Sequence, residues 1–507
     1  MTPPRGRLLV GLMAAVALLA TAPAHAAEVI AVDGQRAERV YDPFVPDRAS
    51  SDLGAAPRSL AAGAASASPH ARTSSKRARR ATSRALRRAY ARKAISRASY
   101  RRYRKIVTRA RKARKRLRGS RGRELGNAIA LVDGMALRRK LTASRMPAVL
   151  LILRRNAQYW PRLPFPSDRD HIVFRGSRLI FEYYVGNGLQ LQPLVNFKQA
   201  NLMHGACVKD TGEPCDRRGL TRLLSELSKT ASQRGGFKTW EYYFAFGGGI
   251  PPWISGMAQA TAIQAYGRAY DLLGDARYLE QARAAFGAFG KPPPVGVRTT
   301  GPFGGIHYLQ YSFASRLYII NAFLQSLIGL YDYAEITGDA TARRLFRDAE
   351  PEAREELPAN DTGDWSTYSY RGAESTREYH ELLREFSASM CSRLRRKVYC
   401  DTAKAFLSYM TDPAEIELLG PASARKGAPT RVRFFVSKLS AVQVTITRDG
   451  MVALDELGTF RRGDGSFAWK PGAAGRYRIR VAAKELRTGR GLRSQTVEYV
   501  ESEPPLP

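Results

Sequence analysis

Three tyrosines, Tyr311, Tyr368 and Tyr379, each begin or precede a stretch of helical pattern, and Arg371 and His380 lie close to the last two. A phenol has an unperturbed pKa of about 10, so it serves as a base only where a neighbouring cation favours the phenolate. Arg371, three residues after Tyr368, is the residue type for that task. Other chemistries are poorly represented. There is no metal-binding run and no Gly-x-Ser-x-Gly motif, and "FGGGIPP" at 246–252 lacks the lysine and hydroxyl of a phosphate-binding loop. A single tyrosine near a helix start is usually a core aromatic with a satisfied hydroxyl. The proton-transfer reading therefore requires a fold that brings the three together.

The elements that would do so are mostly helical. In "YSFASRLYIINAFLQSLIGLYDY", residues 311–333, Leu317, Ile320, Leu324, Leu327 and Tyr331 recur at three- and four-residue steps, with Asn321 set into the apolar run. "AYDLLGDARYLEQARAAF" and "LYDYAEITGDATARRLFRDAE" each read helix, Gly-Asp-Ala, helix, with Gly274 and Gly338 64 residues apart. A glycine ending one helix and an aspartate capping the next is a helix-hairpin signature, and its repetition predicts helix pairs stacked around an axis. The expectation for 206–412 is an incomplete α/α toroid whose open end forms a groove. Before it, 124–205 reads as a mixed part of helices and β-hairpins, including "HIVFRGSRLIFEYYVGNGLQLQPLV". After it, 413–507 alternates β-branched runs with turn signals, as in a small immunoglobulin-like β-sandwich that binds or spaces and does no chemistry. The fold class is multidomain α+β.

The first 123 residues are different in kind. Residues 1–26 have a basic start, an apolar run from Leu8 to Leu19 and Ala24-His25-Ala26, the layout of a secretory signal cleaved after Ala26. Residues 27–70, rich in Ala, Ser, Pro and Arg without period, are expected to be disordered. The net charge is +37, and the window from Ala71 to Arg145 holds 28 Lys and Arg against Glu124 and Asp133, or +26 of it. The basic segment 71–123 reads first as a solvated, partly helical spacer and second as a dock for a polyanion or cell-wall polymer. Nucleic acid is the least expected partner, because of export and the scarcity of interleaved aromatics beyond Tyr90, Tyr100 and Tyr103, and none is expected. No other stretch is apolar for long enough to span a membrane. Cys207 with Cys215, and Cys391 with Cys400, predict two local disulfides rather than zinc.

Four ordered blocks, "PPWISGMAQATAIQAYGRAYDLLGDARYL", "YSFASRLYIINAFLQSLIGLYDY", "DTGDWSTYSYRG" and "EYH", resemble the D-glucuronyl C5-epimerase family. Trp253, Ser255, Met257, Ala258 and Gln259 match its Trp-x-Ser-x-Met-Ala-Gln block. Tyr311 and Asn321–Asp332 match its second block, with Ala322 in place of a glycine, and Asp361, Thr362, Gly363, Tyr368 and Arg371 match the third. The resemblance covers 248–412 well and 180–201 weakly. It departs at Gln310, where the family carries an acid, and at Leu383, where a second histidine is common.

The resemblance implies that Tyr311, Tyr368 and Tyr379 carry proton transfers at C5 of a uronic acid. Tyr368 and Tyr379 would form the principal pair, with Arg371 favouring the phenolate or neutralising the substrate carboxylate. Gln310, Trp253, Gln259, Asn321 and His380 are the expected substrate-binding residues; Asn321 could equally hold a backbone group, and His380 could orient Tyr379 or sit at the surface. The implied activity is an exported epimerase turning D-glucuronic acid residues of a heparosan-like acidic polysaccharide into L-iduronic acid, with no organic cofactor and no metal, a homodimer being left open. Two alternatives stand beside it: a polysaccharide lyase beginning with the same C5 abstraction, and a non-catalytic glycan- or cell-wall-binding protein.

Overall fold

The computed structural model describes residues 27–46 and 76–504, so the expected signal segment 1–26 lies outside the described residues. Ala27–Asp33 (β1) and Arg36–Asp42 (β2) form an antiparallel hairpin, and β1 pairs in parallel with His171–Phe174 (β3), Ile30 facing Ile172. Ile180–Tyr184 (β4) and Gly188–Leu191 (β5) complete a five-stranded sheet in the order β2-β1-β3-β4-β5. This corrects the expectation of disorder over 27–70 for its first part, while residues 47–75 are outside the described set. Val29, Ile30 and Val32 are buried, but their pairing partner lies some 140 residues downstream, where no local period could reveal it.

The basic segment is also folded, against the expectation of a spacer. Lys76–Ala91 (α1), Arg97–Arg116 (α2), Gly119–Leu137 (α3) and Met146–Tyr159 (α4) share one core. In it Leu86 and Ala89 of α1 and Tyr103, Val107 and Ala110 of α2 join Leu125, Met135 and Leu150. The arginines occupy the remaining faces, where their charged heads stay in water. Asp133, buried in α3, accepts from Arg111 at 2.7 Å and from the Thr82 hydroxyl, tying α1, α2 and α3 together.

The middle of the chain runs through Pro193–Val208 (α5), Arg217–Thr230 (α6), a short hairpin of Ser232–Arg234 (β6) and Phe237–Thr239 (β7), then Gly256–Leu273 (α7), Arg277–Arg283 (α8) and Gly287–Gly290 (α9). A second hairpin, Arg298–Thr300 (β8) and Ile306–Tyr308 (β9), precedes Ile320–Thr337 (α10), Ala340–Ala359 (α11), Arg377–Leu394 (α12) and Lys397–Thr411 (α13). Helices α5, α7, α10 and α12 pack side by side in that order, and α6, α11 and α13 pack against them. The repeated Gly-Asp turns are helix boundaries, as predicted: Gly274 and Gly338 close α7 and α10 in the left-handed region (φ 71° and 69°), and Asp339 accepts from the amides of Thr341 and Ala342. Gly329 of α10 is required by contact, because a Cβ there would lie 2.5 Å from the Ala260 carbonyl oxygen of α7. Both expected disulfides are present, Cys207–Cys215 after α5 and Cys391–Cys400 between α12 and α13.

From Ile416 the chain is all strand. Ile416–Gly420 (β10), Thr430–Val436 (β12) and Gly463–Trp469 (β15) form one sheet. Ser423–Arg425 (β11), Ser440–Arg448 (β13), Met451–Phe460 (β14), Gly475–Glu485 (β16) and Arg493–Glu503 (β17) form another, in the order β11-β17-β16-β13-β14. Alternating residues such as Val442, Val444, Ile446, Ile479 and Val481 fill a core of their own. This unit is tied to the helical one. Lys438 donates to the carbonyls of Ser408, Tyr409 and Asp412 at the end of α13, and Arg487 pairs with Asp364 and, at 2.9 Å, with Glu374. Among the described residues no helix is long and apolar enough to cross a membrane.

Candidate functional site

Tyr311 sits just before α10, on a segment laced to the entry of α7. The Ser312 amide donates to the Ile254 carbonyl at 3.0 Å, and the Ile254 amide donates back to the Ser312 hydroxyl at 3.1 Å. Ser255 caps α7 by accepting from the Ala258 amide and gives its own proton to the Gln310 side-chain oxygen. The Tyr311 ring lies among Trp253, Phe246 and Phe313, at centroid distances of 5.8, 5.6 and 5.3 Å.

Tyr368 stands on the turn between α11 and α12, its amide donating to the Ala373 carbonyl at 2.8 Å. Tyr379 occupies the first turn of α12 and meets the Tyr368 ring edge to face at 5.1 Å. Tyr368 packs against the same apolar cluster that holds Tyr311, Trp253 and Tyr184. The fold therefore gathers all three expected tyrosines around one aromatic cluster, with Tyr379 joined through Tyr368. Asn321 explains itself here: its amide donates to the Tyr379 carbonyl at 3.2 Å, fixing the start of α12 against α10.

Other expected site residues are engaged elsewhere. Gln259 is fully buried, accepting from the Thr239 hydroxyl and the Trp240 amide and donating to the Trp240 carbonyl, so it anchors the chain after β7. Trp253 is 1% exposed, stacked on Tyr242 at 4.2 Å, with its indole N–H on the Phe244 carbonyl; it backs Tyr311. Arg371 lies at the exposed tip of the 368–373 turn in the left-handed region (φ 54°), its guanidinium over the Tyr370 ring at 5.2 Å.

His380 is buried beneath the site, stacked on Trp365 at 3.7 Å, with one ring nitrogen on the Phe406 carbonyl and the other on the Ser366 hydroxyl. Burial pushes its pKa down to about 4, which outweighs the hydrogen bond to Phe406. A neutral ring that donates to Phe406 and accepts from Ser366 satisfies both contacts. The unfolded chain takes up this proton near its ordinary 6.5 and the folded one only near 4, so stability is complete above 6.5 and falls as pH drops across that window. The loss is on the order of 3 kcal/mol at about 1.4 kcal/mol per pH unit. His204, also lowered to about 4 by burial, acts in the same direction. Melting curves between those pH values should show His380→Gln less acid-sensitive than the parent, and an identical pH slope would refute the assignment.

The sheet adds residues that sequence reasoning passed over. Tyr184 of β4 accepts from the Gln192 amide at 3.0 Å and packs on Phe244 at 4.2 Å. Arg169, in the left-handed region (φ 67°), lays its guanidinium 4.4 Å from the Tyr184 ring centre and 6.0 Å from that of Phe246. Arg169 also donates to Glu182 at 2.9 Å, and His171 stands 3.9 Å from the other carboxylate oxygen. The cluster that holds Tyr311 thus has a guanidinium on its sheet side, from Arg169. The available signal was an acid inside the fully buried strand "IFEYY", since a carboxylate there demands a cation. No group of three or more His, Cys, Asp or Glu among the described residues could hold a metal ion.

Residues 234–408 match the family described as D-glucuronyl C5-epimerase C-terminus. A D-glucuronyl C5-epimerase of Caenorhabditis elegans is 32% identical over 135 residues, 24% of this chain and 22% of the worm protein. A Methanocaldococcus jannaschii protein described as uncharacterized is 29% identical over 154 residues, 29% of this chain and 50% of its own length. The chain therefore matches half or less of the length of these relatives. A solved sugar epimerase from a ruminal bacterium superposes with a TM-score of 0.35 at 9% identity, over 53% of this chain and 71% of the other.

Proposed function

We propose, from the match of residues 234–408 to the D-glucuronyl C5-epimerase C-terminus family, that the tyrosine cluster inverts C5 of D-glucuronic acid residues in an acidic polysaccharide, giving L-iduronic acid. The observation that carries the reading is the gathering of Tyr311, Tyr368 and Tyr379 around one aromatic cluster within that segment. The row α5, α7, α10, α12 is taken as the inner helices of an incomplete α/α toroid, with the tyrosines at one end of it.

C5 of a uronic acid bears a hydrogen alpha to a carboxylate. Inversion removes that proton from one face and returns a proton to the other, so each face needs its own group. A phenolate takes the C5 proton and becomes a phenol, the electron pair moves into an enolate-like carboxylate, and a phenol on the opposite face gives its proton back to C5. Tyr368 and Tyr379 form the transfer pair, with Tyr311 as third participant. The added charge on the carboxylate needs a cation that is already in place. Arg169 is the better placed guanidinium for this, since it lies over Tyr184 and Phe246 of the aromatic cluster that holds Tyr311, whereas Arg371 rests on Tyr370. Gln310 cannot act as an acid or base, and its bond to Ser255 suits it to positioning Tyr311. The two disulfides support action in an oxidising, extracytoplasmic compartment.

The test is incubation with an unsulfated glucuronate polymer in heavy water, with NMR reading deuterium at C5 and the appearance of iduronate. Deuterium in both epimers is expected. Release of an unsaturated product absorbing in the ultraviolet would replace the epimerase by a lyase, and tight polymer binding without any deuterium would leave a glycan-binding protein.

A further inference from the structure

A cavity lined by five arginines lies far along the chain from the tyrosines. It has a volume of about 460 Å³ and lies between α1 and the loop that follows α3. Arg77, Arg84, Arg88 and Arg92 line it from the α1 side and Arg139 from the loop side; all five are exposed. Ala81, Ala85 and Ala89 leave room between the guanidinium stems. No acid lines the cavity, and among the described residues no ion pair holds any of the five arginines.

Two features set this apart from an ordinary solvated helix face. The arginines converge from two elements onto one hollow, where their mutual repulsion is unfavourable unless an anion relieves it. Arg139 also adopts the left-handed conformation (φ 57°), which favours glycine or asparagine and is costly for a long side chain. A glycine there would end α3 at less cost but contribute no charge to the hollow.

We propose that this cavity is a second binding site, separate from the tyrosine cluster, that holds a strand of an anionic polysaccharide through its carboxylate or sulfate groups. From Arg77 to Arg88 the guanidiniums run along roughly 16 Å of helix, at 1.5 Å per residue, which matches an extended strand better than a small anion. Planar guanidiniums pair bidentately with carboxylate and sulfate-like groups. The lining has no aromatic ring on which a base could stack, and the two disulfides favour an oxidising compartment, so a polysaccharide suits the site better than a nucleic acid. Only the choice of a glucuronate polymer as probe rests on the proposed function. Binding itself needs no turnover, so a chain that epimerises nothing can still pass the following test.

The full chain carrying Arg84→Glu and Arg88→Glu is compared with one carrying Arg80→Glu and Arg87→Glu, which makes the same charge change on the same helix outside the cavity. Affinity for an end-labelled unsulfated glucuronate polymer is measured over a salt series by fluorescence anisotropy. The cavity pair should lose about tenfold in affinity, and its plot of log K against log salt should flatten by about two units, with a much smaller change for the control pair. Arg84→Gln with Arg88→Gln should show the same ordering, which guards against misfolding of the charge-reversed chain. Equal losses from the two pairs would overturn the site in favour of diffuse charge. Tighter binding of single-stranded DNA of matched charge, lost through the same arginines, would overturn the polysaccharide assignment.

Discussion

Tyr368→Phe is expected to lower C5 inversion by roughly 10²- to 10⁴-fold, the range supplied by one positioned acid or base. The change removes one oxygen and keeps the ring, so the edge-to-face contact with Tyr379 at 5.1 Å and the packing against the Tyr311 cluster survive. A loss of this size would therefore report chemistry rather than collapse, and an unchanged melting temperature would confirm as much. Exchange measurements sharpen the test. With one proton-transfer group missing, the surviving group can still remove a proton from its own face and return deuterium to that face. Exchange should then persist in only one epimer while inversion fails. Tyr379→Phe should spare the other epimer, and the double variant should be no worse for inversion than the poorer single one, as groups acting in one step are not additive. Wild-type inversion in Tyr368→Phe, or exchange retained equally in both epimers, would remove Tyr368 from the mechanism.

How far this site could be read in advance differs from residue to residue. Gly274 and Gly338 were legible because a left-handed helix stop leaves a local mark, a glycine followed by a capping aspartate. The cysteines were legible because short spacing in an even count restricts the pairing. Tyr311, Tyr368 and Tyr379 drew attention as ordered blocks, but their meeting depends on helix packing that no local pattern encodes. Gln259 and His380 looked like ligand contacts and are instead buried supports, for polar side chains beneath a site are as constrained as those within it. Arg169 and Glu182 escaped notice because their pairing reaches from a loop to a strand and because 82 Lys and Arg made one more arginine uninformative. The same excess hid the alanine and leucine stripe that buries α1.

Glu241→Ala should destabilise the helical unit by about 3–5 kcal/mol, the cost of stripping the counter-charge from a buried ion pair. Glu241 is 3% exposed. Its carboxylate accepts from Arg145 twice, at 2.6 and 2.8 Å, from Arg234 at 2.7 Å, and from the hydroxyls of Ser232 and Tyr243. Burial pushes its pKa up, but the hydrogen bonds and charges of Arg145 and Arg234 outweigh that and hold it below the ordinary carboxylate value. The pair's contribution is accordingly complete above the unfolded value of about 4.5 and is lost as pH falls through the lower folded value. Without the carboxylate, two largely buried guanidiniums face each other with no anion between them. A fall in melting temperature of roughly 10 °C follows from that cost in a unit of this size. The site should suffer as well, since the next residue, Tyr242, stacks on Trp253, which in turn backs Tyr311. Replacing Glu241 and Arg145 together by leucine and methionine should cost less than Glu241→Ala alone, because one of the stranded charges leaves with its partner. A Glu241→Ala chain that melts within about a degree of the parent would mean that water reaches these arginines and that the pair is not a support of the site.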